Sequence, residues 1–235
     1  MSIAENIAAI RTRIASAAAR VGRDPEAVSL MAVSKTHPAE SIRQAYEAGQ
    51  RLFGENRVQE FFGKHDALGD LARARFHLIG HLQSNKATRA VELFSGIDSV
   101  DSLKLAERLN AAGAQAGKTV AVLIEMNVGG EQAKSGIPLD SPELGAILTA
   151  APRLTNLDIC GLMTVPPFTQ DSEGARPFFR ALRDLRHRIA AYDLPRVSMT
   201  ELSMGMSHDF EVAVEEGSTC VRIGTAIFGA RDHSA

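Results

Sequence analysis

The chain has 235 residues, is 45% hydrophobic and carries a formal net charge of -2. That apolar content is ample for one sizeable core, and the mixed, near-neutral charge offers no basic surface for nucleic acid. No apolar run approaches the roughly 20 residues that span a bilayer, and the first turns carry Glu5, Arg11 and Arg13 rather than a leader pattern.

The chain opens on a predicted helix, with Ile3, Ile7, Ile10 and Ile14 at helical spacing behind a Ser2–Glu5 capping box. Eight strand-like runs follow, beginning at residues 28, 51, 75, 93, 119, 157, 201 and 219. Several are continuous apolar runs, as strands buried on both faces require. Helical segments separate them. One starts at Pro38 and closes at Gly49, one is capped by Asp101 ahead of Leu103, Leu105, Ala106 and Leu109, and one opens at Ser141-Pro142-Glu143. Alternating strand and helix predict βαβ units with right-handed crossovers. Eight such units favour an α/β fold, a single closed (β/α)₈ TIM barrel over residues 1–235 with an additional N-terminal helix. A doubly wound open sheet is the alternative. Cys160 and Cys220 lie in apolar strand runs and read as free thiols of a reducing compartment, so the expected location is the cytoplasm.

Function in such a barrel gathers at the carboxyl ends of the strands. The first strand delivers Lys35 after Leu30-Met31-Ala32-Val33, where partial desolvation would lower its pKa and free the amine as a nucleophile for a Schiff base. A lysine paired with Glu55 or Glu125 is the plainer alternative. The seventh strand delivers Ser203-Met204-Gly205-Met206-Ser207 into a helix that Ser207 is expected to cap, and the eighth delivers Arg222 and Gly224-Thr225. Loops after strands seven and eight are frequent phosphate sites. A carbonyl plus a phosphate on one ligand leaves pyridoxal 5′-phosphate or a phosphosugar.

The segments AVSKTHP at Ala32, FGENRVQE at Phe53, HLIGHLQSNK at His77, IDSVDS at Ile97, AKSGI at Ala133, GLMTVPP at Gly161, LSMGMSHDFEVAVEEGST at Leu202 and VRIGTAIFGAR at Val221 run from the first strand to the last. Together they resemble the pyridoxal phosphate homeostasis proteins, whose fold is similar to the barrel domain of alanine racemase. The resemblance implies a barrel-only protein that binds pyridoxal 5′-phosphate on Lys35. It implies phosphate contacts from Ser207, Gly224 and Thr225 aided by the Gly205 and Met206 amides, with Ser203 in the same segment. It places Arg222 near the phosphate or pyridine nitrogen, and Asn56 near the ring. His208 and Thr164 depart from the usual pattern without being expected to touch these residues.

The resemblance further implies a role in cofactor (vitamin B6) and amino-acid homeostasis, without an established reaction. The expected partners are the cofactor and pyridoxal phosphate-dependent apo-enzymes, with no nucleic acid or membrane, in a monomer or weak dimer. Racemisation is the alternative, and it needs a second acid–base group opposite Lys35. The family's racemases take theirs, a tyrosine, from a domain for which no chain remains here, and Tyr46 and Tyr192 fall on helices away from the pocket. An aldolase acting on a phosphosugar is a third reading, separable by the absence of colour. His77 and His81 read as hydrogen-bonded barrel residues rather than metal ligands, Lys86 and Arg89 as surface charge, Lys134 as part of a solvated loop, and Met204 and Met206 as candidates to line the ring.

Overall fold

The computed structural model describes residues 1–131 and 135–229. In chain order the elements are α1 (Ile3–Arg20), β1 (Ser29–Val33), α2 (Ala39–Glu47), β2 (Leu52–Glu55), α3 (Val58–His65), β3 (Arg75–Leu78), α4 (Ala87–Leu93), β4 (Gly96–Val100), α5 (Leu103–Gln115), β5 (Val120–Asn127), β6 (Ile137–Pro138), α6 (Glu143–Ala150), β7 (Leu157–Met163), α7 (Arg176–Ala190), β8 (Val197–Ser203), α8 (Phe210–Glu215), β9 (Cys220–Ile223) and α9 (Thr225–Phe228). All strand pairings are parallel, in the order β4-β3-β2-β1-β9-β8-β7-β5, and β4 pairs with β5 to close the ring. The expected closed eight-stranded parallel barrel is therefore present. The two-residue β6, which pairs with the end of β5, was too short to register in the sequence.

Alternation along the strands divides the core in two. Leu30, Ala32, Phe53, Val221 and Ile223 join the main cluster beneath the helices, while Met31, Leu52 and Cys220 form a separate small cluster with Ile79 inside the barrel. The N-terminal helix begins as expected. Ser2 Oγ accepts the Glu5 amide at 3.2 Å and Glu5 Oε2 accepts the Ser2 amide at 2.7 Å. Its apolar stripe, Ile7, Ile10 and Ile14, is buried against the outer wall, at roughly 2 kcal/mol per side chain. Asn6 Nδ2 ties the helix to the Ile227 carbonyl at 2.9 Å, next to the last strand.

Several expected boundaries shift. Pro38 caps α2 from outside rather than occupying its first turn. Ser102, not Asp101, caps α5 by accepting the Leu105 amide, and Asp101 turns to His81 Nδ1 at 3.2 Å. The strand expected from Glu201 begins at Val197; its first half is irregular, with Met199 at positive φ and the β7–β8 register slipping between Ile159 and Gly161, which breaks the alternation a sequence pattern relies on. No described helix is long and apolar enough to cross a membrane. Both cysteines are free.

Candidate functional site

The ring order places β8, β9 and β1 side by side. Segments far apart in sequence therefore arrive together at the carboxyl-terminal mouth: Ser203–Ser207 from β8, Arg222–Thr225 from β9 and Lys35 from β1. A Cβ on Gly224 would stand 3.4 Å from the Val33 carbonyl, so the two chain ends rise in close contact.

The turn that carries Lys35 is held from below and from the side. Thr36 takes φ 66°, unusual for a β-branched residue, and its amide donates to Glu60 Oε1 at 2.5 Å. Lys64 Nζ reaches the Ser34 carbonyl at 3.3 Å, the His37 carbonyl at 3.2 Å, Glu55 Oε1 at 2.9 Å and Glu60 Oε1 at 3.1 Å. Ser34 Oγ donates to the same Glu55 oxygen at 2.7 Å. Glu55 Oε1 is thus occupied by Ser34 and Lys64, while its Oε2, like that of Glu125 across the ring, has no hydrogen-bond partner. Burial pushes the pKa of Glu55 up, against the pull of Lys64. Lys35 itself is half-buried at the mouth. Sequence reasoning missed Lys64 and Glu60, since charges along α3 look like a solvated face.

Arg222 forms the floor. Its side chain is buried, Nη1 donates to Ser203 Oγ at 2.8 Å and Nη2 to the Thr164 carbonyl at 2.6 Å. Thr164 Oγ1 in turn donates to the Met126 carbonyl at 2.6 Å. Contrary to expectation, then, Thr164 touches a proposed site residue through its carbonyl, and Ser203 supports Arg222 from within the barrel. Burial lowers the arginine's pKa, opposed by the nearby acidic groups Asp98, Glu125 and Asp209.

The β8–α8 connection differs in detail from the sequence reading. Asp209, not Ser207, occupies the N-cap position of α8, and its Oδ1 accepts the Met206 amide at 2.7 Å. The Met206 N–H is therefore committed within the loop. Gly205 adopts φ 98°, and a Cβ there would collide with Ala213 Cβ at 2.6 Å, so only glycine lets this turn lie against α8. Its carbonyl accepts the Arg222 amide at 2.9 Å. Ser207 is half-buried and Thr225 exposed at the mouth. His208, beside Ser207, is turned aside: its ring lies 5.3 Å from that of Phe168 and its Nε2 is 3.1 Å from the Thr169 carbonyl. Met204 is fully buried in the main cluster under the helices and does not line the mouth, whereas Met206 is half-buried there.

Across the ring, β5 supplies Glu125 and Asn127. Glu125 is 7% exposed and its Oε2 has no hydrogen-bond partner. Burial, reinforced by the Asp101 charge and opposed by Arg222, pushes its pKa up to about 7. The sequence showed it only as a charge interrupting the apolar run VAVLIEMNV. Asn56 is half-buried at the end of β2, and its carbonyl would lie 2.4 Å from a Cβ on Gly80, so glycine there lets the two loops close up. Beside it a cavity of about 340 Å³ is lined by Asn56, Arg57, His81, Gln83 and Lys86. Deeper in the barrel His77 Nδ1 lies 2.9 Å from Asp98 Oδ1. Both tyrosines lie toward the opposite end: Tyr46 stacks under Arg51 at the start of β2, and Tyr192 is exposed between α7 and β8. Lys134 falls outside the described residues.

Comparison with known proteins agrees with this architecture. The profile of the alanine racemase N-terminal domain matches residues 6–232. A pyridoxal phosphate homeostasis protein of Pseudomonas aeruginosa is 46% identical, covering 100% of this chain and 98% of its own. One from Aquifex aeolicus is 42% identical, covering 99% and 100%. The structure of PipY from Synechococcus elongatus with pyridoxal phosphate bound superposes with a TM-score of 0.85 at 40% identity, over 97% of this chain and 100% of that one. An alanine racemase from Streptomyces lavendulae shares the fold at TM-score 0.67 and 22% identity, and the match covers 94% of this chain but 57% of the racemase.

Proposed function

The chain belongs to the pyridoxal phosphate homeostasis protein family, and from that membership we propose that it holds pyridoxal 5′-phosphate at the carboxyl-terminal mouth and serves in handling that cofactor and amino acids rather than in turning over a substrate. The observation that carries the reading is the adjacency of β8, β9 and β1, which brings a lysine, a buried arginine and two hydroxyl-bearing loops to one mouth. The donor set fits the group. Lys35 offers the primary amine for covalent attachment to an aldehyde, on a turn fixed by Glu60 and Lys64. Ser207, Gly224 and Thr225 offer hydroxyls and backbone N–H groups for the phosphate, with Gly205 shaping the turn between them. Arg222 supplies a fixed positive charge held by Ser203 and Thr164, and Asn56 borders the ring side. When bound, the cofactor supplies an aldehyde that condenses reversibly with primary amines.

Carriage is favoured over racemisation by two features of the chain. Neither tyrosine stands near the mouth, so no tyrosine faces Lys35 as a second proton donor. An arginine beneath the mouth also opposes a further positive charge on a nearby ring nitrogen, which weakens electron withdrawal by the ring. The expected recipients are apo-enzymes that need the cofactor.

The test is an absorbance spectrum of protein incubated with pyridoxal 5′-phosphate, followed by borohydride reduction and peptide mass mapping. The wild type should be yellow, with the mass gain on the Lys35 peptide, and Lys35→Ala should lose the band. Attachment elsewhere would overturn the site, and amino-acid racemisation at ordinary enzymic rates in the same sample would overturn the carrier reading.

A further inference from the structure

Glu125 is a buried carboxyl group whose Oε2 the fold leaves without a partner. Buried polar atoms are nearly always satisfied, so an exception in a candidate site marks a place for something the chain does not itself provide. Its position is specific. β5 lies four strands from β1 in either direction round the closed ring, so Glu125 and Lys35 stand on opposite walls of one mouth. The charged groups that act on Glu125 are Asp101 from the end of β4, itself paired with His81 from the β3 loop, and Arg222 from β9. Val122, Ile124 and Met126 pack into the main cluster under the helices, so alternation along β5 turns Glu125 to the inside of the barrel, where a Cβ on Gly136 would lie 3.2 Å from its Cγ.

We propose that Glu125 is the proton-handling group for amine exchange at this site, accepting a proton from the ammonium of an incoming primary amine that then displaces Lys35 from the aldehyde carbon. This rests on the reading of Lys35 as the attachment point. One carbon–nitrogen bond forms to the incoming amine and the bond to Lys35 breaks. The proton taken up by Glu125 is returned to the departing Lys35 nitrogen, so no oxidant, reductant or further reactant enters. A carboxyl that titrates near pH 7 takes up and releases a proton readily under ordinary conditions. The incoming amine has two sources with one chemistry, a free amino acid or a lysine of a recipient protein.

The experiment follows loss of the protein-bound absorbance band when cofactor-loaded protein is mixed with alanine, standing for the free amino acid, or with Nα-acetyl-lysine, standing for a protein lysine. In the wild type the exchange rate should rise through an inflection near pH 7. Glu125→Gln should stay loaded, exchange at least about tenfold more slowly at pH 8 and lose the inflection. Glu125→Asp should keep the inflection at a reduced rate. Slowing in one arm alone identifies the source of the amine. A Gln variant that stays loaded and exchanges with wild-type rate and pH profile in both arms overturns the proposal and leaves the attachment reading intact. If the Gln variant does not load, wild-type exchange by the Asp variant overturns it instead. A wild-type protein that never attaches the cofactor to Lys35 overturns both.

Discussion

Glu216 on the outer wall and Glu125 in the mouth are buried to nearly the same degree, 4% and 7% exposed, and are treated in opposite ways. Glu216 lies just past the end of α8, where Arg176 Nη1 at 2.8 Å, Arg180 Nε at 3.1 Å and Arg183 Nη1 at 2.7 Å converge on its two oxygens. Burial works to raise its pKa, but the hydrogen bonds from Arg176 and Arg180 bring it below the usual carboxylate range. Glu125 has one oxygen with no bond at all, and burial wins. The same residue type at similar depth is a structural rivet where its partners come from the chain. Where they do not, it is a standing cost that only a site explains. The two regions can therefore be told apart by mutation.

The largest effect belongs to the rivet. Glu216→Ala should cost about 3 kcal/mol, because three guanidinium groups lose their shared counter-charge; their partial exposure keeps the loss at the low end for a buried pair. Urea denaturation of the cofactor-free protein at pH 7 should show a lower midpoint at unchanged slope, with cofactor uptake retained. A loss below about 1 kcal/mol would place Glu216 among ordinary surface ion pairs and remove the contrast.

Glu125 should respond with the opposite sign, and only at high pH. Its pKa stands above the ordinary 4.5, so the fold favours the protonated form. Stability from this group is fully present below about pH 4.5 and is lost as pH rises through about 7. Glutamine is neutral throughout. In the cofactor-free protein Glu125→Gln should match the wild type at pH 4 and exceed it by roughly 2–3 kcal/mol at pH 8. A destabilised variant at pH 8 would mean that the carboxylate is paired after all.

These two residues also mark how far the sequence could be read. The strand count and Lys35 at the end of Leu30-Met31-Ala32-Val33 follow from local pattern, since a parallel strand buried on both faces leaves a continuous apolar run. Choices between neighbouring polar residues did not. Asp101 and Ser102 can each cap α5, as Ser207 and Asp209 can each cap α8; a tertiary bond decides the first, since His81 draws Asp101 away, and the local path of the loop decides the second, where the Met206 amide closes on Asp209. The residues that hold the Lys35 turn were hidden for the same reason. Lys64 and Glu60 are an ordinary i, i+4 pair on a helix until the β1–α2 turn is brought against them. Glu125 was visible as a charge in an apolar strand, but its missing partner depends on what the other strands bring beside it.

The smallest effect tests whether the mouth carries backbone strain as well as an unsatisfied charge. Thr36 holds φ 66° immediately after Lys35, where a β-branched side chain is disfavoured by about 1–2 kcal/mol. Thr36→Gly relieves that strain but gives the unfolded chain more freedom, so the net gain should be modest, up to about 1 kcal/mol in denaturation midpoint. The Glu60 contact is made by the backbone amide and survives the substitution, yet the turn loses the side chain that restricts it. Cofactor dissociation, followed by the bound absorbance band after dilution, should therefore become severalfold faster while the fold becomes slightly firmer. A gain in stability with dissociation unchanged would show that Lys35 is positioned by Lys64 and Glu60 alone. Loss of both would show that Thr36 is part of the packing, and the strain would then have no bearing on the site.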